Sequence, residues 1–144
     1  RKEITTEGGL NLKKNKLKLK KIIKIFNKKK IRTSLFINPN VKDIINAYEL
    51  ETNCIEFHTG HISKLVKQNK NFSKELSNIK KCCTLASRYG IEIHAGHGLD
   101  YKTTKILSKI KTIKEFNIGH FIIGESIFYG LKNTIKNFKK IINT

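Results

Sequence analysis

Four short β-type runs, each followed by a segment of helical spacing, constrain this 144-residue chain more than any other feature. Residues 31–37 (IRTSLFI) are rich in β-formers and stop at Asn38-Pro39-Asn40, a strand followed by a turn. Residues 54–57 (CIEF), 91–94 (IEIH) and 115–118 (EFNI) repeat the pattern. Between them, helical spacing predicts helices over 41–50, over 61–89 with a looser stretch near 68–72, and over 103–111. Gly90 is placed to cap the long one. Residues 1–10 read as a loop closing on Gly8-Gly9. Residues 11–30 form an amphipathic helix through Leu12, Leu19, Ile22, Ile23 and Phe26, and the tail from 131 is a last helix with Ile135, Phe138, Ile141 and Ile142 on one face. Such alternation means parallel strands joined by right-handed crossovers.

Two α/β architectures host that alternation, an open doubly wound sheet and a (β/α)8 TIM barrel. No G-x-G-x-x-G follows the first strand, so the dinucleotide-binding fingerprint of the doubly wound fold is missing. Every strand instead ends in polar or glycine-rich residues: Asn38; Glu56 with His58-Thr59-Gly60; His94 with His97-Gly98; Gly119-His120. In a barrel, that end of the strands carries the active site. A whole barrel needs about 250 residues, so the expectation is the last four strand–helix units of one. With one Pro, nine Gly and no linker-like stretch, residues 1–144 read as a single unit, the C-terminal portion of a barrel lacking its N-terminal strands. The chain begins at Arg1 and holds no Met, which suggests processing or a piece of a longer protein.

Charge narrows the partners less than its size suggests. Thirty Lys and Arg against eleven Asp and Glu give +19, a balance that invites nucleic acid or an anionic surface. Yet 27 of the 30 are Lys, spread along every segment, whereas groove readers and phosphate clamps lean on Arg. Lys, Ile and Asn, all with A/T-rich codons, make up 64 of 144 residues, which fits a biased genome. A nucleic-acid partner is therefore not expected, while a basic surface still attracts small phosphorylated molecules. No run approaches eighteen apolar residues and the N-terminus does not resemble a signal peptide, so no membrane partner is expected. Cys54, Cys82 and Cys83 are an odd number with two adjacent, which excludes a disulfide scaffold and fits a reduced, cytoplasmic setting.

Four positions stand out chemically. Glu56 lies between Ile55 and Phe57 in an apolar strand, where a carboxylate is costly unless paired or used. It is either tied to a neighbouring backbone or Lys, or it is an acid, base or charge stabiliser. His97 sits between two glycines that let a ligand approach, or it is a turn histidine in solvent. Gly119 and His120 precede a segment whose first amides can cradle phosphate. The two H-x-x-H spacings, His58/His61 and His94/His97, would put the partners on opposite faces of a strand, so no metal site is expected from them. The cysteines lack a C-x-x-C neighbour and read as core.

Five blocks, ITTEGGL (4–10), SLFINP (34–39), IEFHTG (55–60), HAGHGLDY (94–101) and FNIGHFIIG (116–124), together resemble the pyridoxine 5′-phosphate synthase family of vitamin B6 biosynthesis. The resemblance implies a TIM barrel that condenses 1-deoxy-D-xylulose 5-phosphate with 3-amino-2-oxopropyl phosphate, giving pyridoxine 5′-phosphate, phosphate and water. It implies no metal or organic cofactor, and a homo-oligomer, typically an octamer. Carried over by motif, His97 resembles the proton donor and Glu56 the transition-state stabiliser. Gly98, Gly119 and His120 resemble the site for the amino-oxopropyl phosphate, and Thr5 a contact to the deoxyxylulose phosphate. Glu125 departs from the pattern, since the family usually carries Arg or another non-acidic residue there, and it is expected to turn away from phosphate. The family's N-terminal half, with further proton acceptors, has no counterpart in this sequence. A truncated inactive remnant, a basic nucleic-acid-binding module and a metal-dependent barrel hydrolase are the competing readings.

Overall fold

Parallel pairing in unbroken sequential order is the central fact of the fold. The computed structural model describes residues 8–143. Its strands are β1 (Ser34–Ile37), β2 (Cys54–His58), β3 (Glu92–Gly96) and β4 (Ile113–Asn117), and they lie in the order β1-β2-β3-β4. A doubly wound sheet reverses its strand order at a switch point; these strands do not, so the sheet is part of a (β/α)8 barrel.

The helices are α1 (Lys16–Lys28), α2 (Val41–Glu49), α3 (Gly60–Lys67), α4 (Ser73–Arg88), α5 (Tyr101–Leu107), α6 (His120–Tyr129) and α7 (Leu131–Ile142). Side-chain alternation along each strand sorts the two faces of the sheet. Leu35, Ile37, Ile55, Phe57, Ile93 and Ala95 point to the helices and are buried among Ile44, Ile62, Ile79, Ala86 and Leu107. At about 1.5–3 kcal/mol for each large apolar side chain buried, this layer supplies much of the driving force. The opposite face is polar. The strand register lines up Cys54 with Glu92, then Glu56 with His94 and Glu115, then His58 with Gly96 and Asn117.

The chain enters along β1: Leu10 N–H donates to Phe36 O (2.8 Å) and Gly9 N–H to Asn38 Oδ1 (3.3 Å). A Cβ on Gly9 would overlap the backbone nitrogen of Asn38, so only glycine passes here. Asn40 caps α2 by accepting from Asp43 N–H (2.9 Å), and Asp100 caps α5 by accepting from Thr103 N–H (2.7 Å).

The single helix expected over 61–89 is two. After α3, Lys70 N–H returns to Leu65 O and Asn69 N–H to Val66 O, with Asn69 at φ 52°. That pair of bonds is the Schellman ending, and Asn is the residue that best replaces glycine in its left-handed position. Gly90 (φ 70°) ends α4 in the same way, as its sequence position suggests. Residues 103–111 likewise shorten to α5, and the last strand begins two residues earlier than expected, at Ile113. Tyr101, Phe121 and Phe138 stack with centroids 4.6–5.8 Å apart and lock α5, α6 and α7 together.

Candidate active site

Glu56 lies mid-strand on the polar face, with Phe36 and His94 beside it in register. Gly96 gives it room, because a Cβ there would overlap Glu56 Oε1. Asn117, at the end of β4, donates its side-chain amide to Glu56 Oε2 (2.7 Å). Burial pushes the Glu56 carboxyl above its ordinary value; the Asn117 bond and the nearby His94 and His97 only partly offset this. The result is a carboxyl fixed in direction whose charge is costlier to hold than in water.

His97 follows β3 in a left-handed conformation, φ 73°, between Gly96 and Gly98 (φ 76°). Two features hold it there. Thr59, fully buried, donates its N–H to Gly96 O (2.8 Å), and its hydroxyl lies 2.8 Å from both Gly96 O and His97 O. The His97 ring also stacks on His58, centroids 4.5 Å apart at 23°. Gly60 closes against this pair, since a Cβ would come within 2.7 Å of the His58 ring and 2.9 Å of the His97 ring. Burial, then the neighbouring His97, holds His58 below the ordinary imidazole pKa, and its Nε2 is buried with no hydrogen-bond partner among the described residues.

Over the strand ends opens a cavity of about 590 Å³ whose lining includes His97, Gly98, Asn117, Gly119, His120, Glu125 and Lys67. Gly119 is the N-cap of α6 and offers no side-chain cap. The first bond in this turn runs from Ile123 N–H to Gly119 O (3.1 Å), which leaves the amides of residues 120–122 outside the helical ladder. These amides and the helix dipole suit an anion. A Cβ on Gly119 meets no protein atom within 4 Å, so the glycine keeps space free for a ligand rather than relieving crowding.

His97, Gly98, Gly119 and His120 thus meet at one cavity, and Asn117 ties Glu56 to its floor. Thr5 lies outside the described residues. Glu125, expected to turn away from phosphate, is half-buried and lines the same cavity. Neither H-x-x-H spacing forms a pair: His61 faces Glu75 (3.3 Å) and His94 faces Glu92 (2.9 Å). Cys82 and Cys83 are buried on α4, where burial pushes their thiols up to about 11 and about 12, so both are packing residues. Asn117 and Lys67 escaped the sequence reading, while His58 and Thr59 stood out there only as polar residues at a strand end. Only the register, which sets Asn117 beside Gly96, could have singled out Asn117.

Sequential parallel strands with acid, imidazole and an anion cradle at their C-terminal ends define a (β/α)8 barrel in part, its site at the functional face. A model of the family described as Pyridoxal phosphate biosynthesis protein PdxJ matches residues 1–144, and the chain belongs to that family. It is 67% identical over 143 residues to the pyridoxine 5′-phosphate synthase of Pelagibacter ubique, covering 99% of this chain and 60% of that protein. Synthases of the same name from Sulfurihydrogenibium sp. (42% identical, 99% and 58% covered) and Campylobacter fetus (37%, 99% and 63%) are also similar. The chain therefore spans about 60% of the length of the relatives it matches.

Proposed function

We propose that residues 1–144 are a single unit supplying the C-terminal portion of a pyridoxine 5′-phosphate synthase, which joins 1-deoxy-D-xylulose 5-phosphate to 3-amino-2-oxopropyl phosphate. The observation that carries this reading is the convergence on one cavity of His97, the N-terminal turn of α6 with its free amides, and Asn117, which is hydrogen-bonded to Glu56. The amino-oxopropyl phosphate docks its phosphate on the amides of residues 120–122, with Gly98 and Gly119 leaving room, His120 offering a ring N–H and Lys67 adding positive charge. Its amine attacks the ketone of the second substrate. The carbinolamine becomes an imine when its hydroxyl takes a proton from His97 and leaves as water. Glu56, held by Asn117, faces the positive charge that develops on the imine nitrogen and stabilises it. Thr5 contacts the deoxyxylulose phosphate. Ring closure, with loss of one phosphate and a second water, yields pyridoxine 5′-phosphate.

The same reading makes the full-length protein a cytoplasmic homo-oligomer, an octamer by the family resemblance. The competing nucleic-acid module is not favoured. The test is a chimera in which this chain completes the remaining part of the Pelagibacter ubique synthase. Product formed from the two phosphorylated substrates, and lost in H97N, supports the reading. A folded chimera without product defeats it.

A further inference from the structure

We propose that Cys54, Glu92 and His94 form a divalent-metal site at the foot of the sheet, with a donor set suited to zinc. One ligand atom from each lies within 4.8 Å of the other two. The strand register makes this grouping, not sequence spacing: Cys54 and Glu92 are partners at the starts of β2 and β3, and His94 is two residues further on the same face. Cys54 and His94 are buried, 2% and 6% exposed. Thiolate, imidazole and carboxylate together are a zinc donor set, and three protein ligands leave a fourth position for water.

Two neighbours bear on the assignment. Glu115 Oε1 stands 3.7 Å from His94 Nδ1, beyond hydrogen-bond distance but on the ring edge away from Nε2, which faces Glu92 at 2.9 Å. Arg32 Nη2 lies 2.7 Å from both Cys54 Sγ and Glu92 Oε1, so a guanidinium now holds the place of the cation. The Arg32 side chain is 61% exposed and free to swing into solvent. On metal binding, Cys54 gives its proton to water and Arg32 leaves. The site lies toward the N-terminal ends of the strands, beneath Glu56 and away from the cavity, so its role is to staple β2 to β3. It does not depend on the reaction proposed above.

Co(II) alone, added to the purified chimera of this chain with the remaining part of the Pelagibacter ubique synthase, is the probe. One equivalent should bind with a thiolate-to-cobalt charge-transfer band and the intense visible bands of a tetrahedral ion, and Zn(II) should displace it. C54S and H94N should each lose the charge-transfer band or the tetrahedral bands, while C82S and C83S keep both. R32Q should tighten Co(II) binding by roughly tenfold, because a competing charge-assisted contact is removed. Absence of the band, its survival in a folded C54S, or no tightening in R32Q would overturn the site and leave an ion pair bridged by Arg32.

Discussion

His97 occupies a backbone region that costs a side-chain-bearing residue about 1–2 kcal/mol, and it stays there because Thr59 grips both flanking carbonyls. Asn tolerates that region well, so H97N separates the ring's chemistry from the turn's geometry. In the restored synthase, H97N should lower turnover by roughly 10²–10⁴ with little change in melting temperature, the usual effect of losing one general acid. Near-normal turnover would remove His97 from proton transfer. Glu56 gives a pH signature. Its carboxyl titrates above the ordinary 4.5 because burial penalises the charge. A raised folded-state pKa means that its stabilising contribution is fully present below about the unfolded value and lost as pH rises through the folded one. E56Q keeps an acceptor for Asn117 and removes the buried charge. It should therefore melt higher than the parent at pH 7, with the gap closing below about pH 4.5, while the chimera loses activity. A parent curve that matches E56Q across this range would show that Glu56 is not desolvated. Glu56 and His97 were legible in the sequence because an acid in an apolar run and an imidazole between glycines are local anomalies. Asn117 was not, and His58 stood out only as a strand-end residue, because their importance comes from strand register and ring stacking.

Helix endings show the same divide between local and distant information. Four helices finish in the left-handed ending, at Lys30, Glu51, Asn69 and Gly90, and only the last two announce themselves by residue type. Glu51 at φ 60° carries a strain that glycine would not. E51G should raise stability by about 0.5–1 kcal/mol despite glycine's entropy in the unfolded chain, read as a shift in the denaturant midpoint at constant slope. A loss of stability would mean that the Glu51 side chain contributes more than the strain costs. At α6 the balance involves function. Glu125 lines the cavity beside the anion cradle, where a carboxylate opposes a phosphate dianion. E125Q should lower the Michaelis constant for the amino-oxopropyl phosphate several-fold, with turnover little changed. G119V should raise that constant, since the free space at Gly119 would be filled. An unchanged constant in both variants would move the phosphate elsewhere. The sequence marked the Gly-His start of α6, whereas the place of Glu125 on the cavity depends on how α6 packs on α5 and α7 through Phe121.

For the whole molecule, only one face of the sheet is apolar and packed against the helices. The other carries Glu56, Glu92, His94 and Glu115, and among the described residues β4 has no strand partner on its outer side. Helix α6 is apolar in sequence yet buries no residue: Ile123, Ile127 and Phe128 are 65%, 78% and 81% exposed. Leu17 on α1 is 81% exposed as well. Apolar area of this kind is normally covered by further chain or by another subunit, and an unpaired strand edge recruits whatever strand it meets. The alternation of strands and helices made the barrel legible, since periodicity is local, whereas what covers these surfaces is not written in the segments that expose them. The 144-residue chain alone should therefore form no pyridoxine 5′-phosphate, unfold over a broad and low temperature range, and bind a hydrophobic dye. Joined to the rest of the Pelagibacter ubique synthase, it should sharpen its transition and lose most dye binding, because β1, β4 and α6 then have partners. A sharp, dye-free, monomeric transition for the chain by itself would show that four βα units close their own core, and product formation by it would show that His97 and Glu56 suffice without the remaining strands.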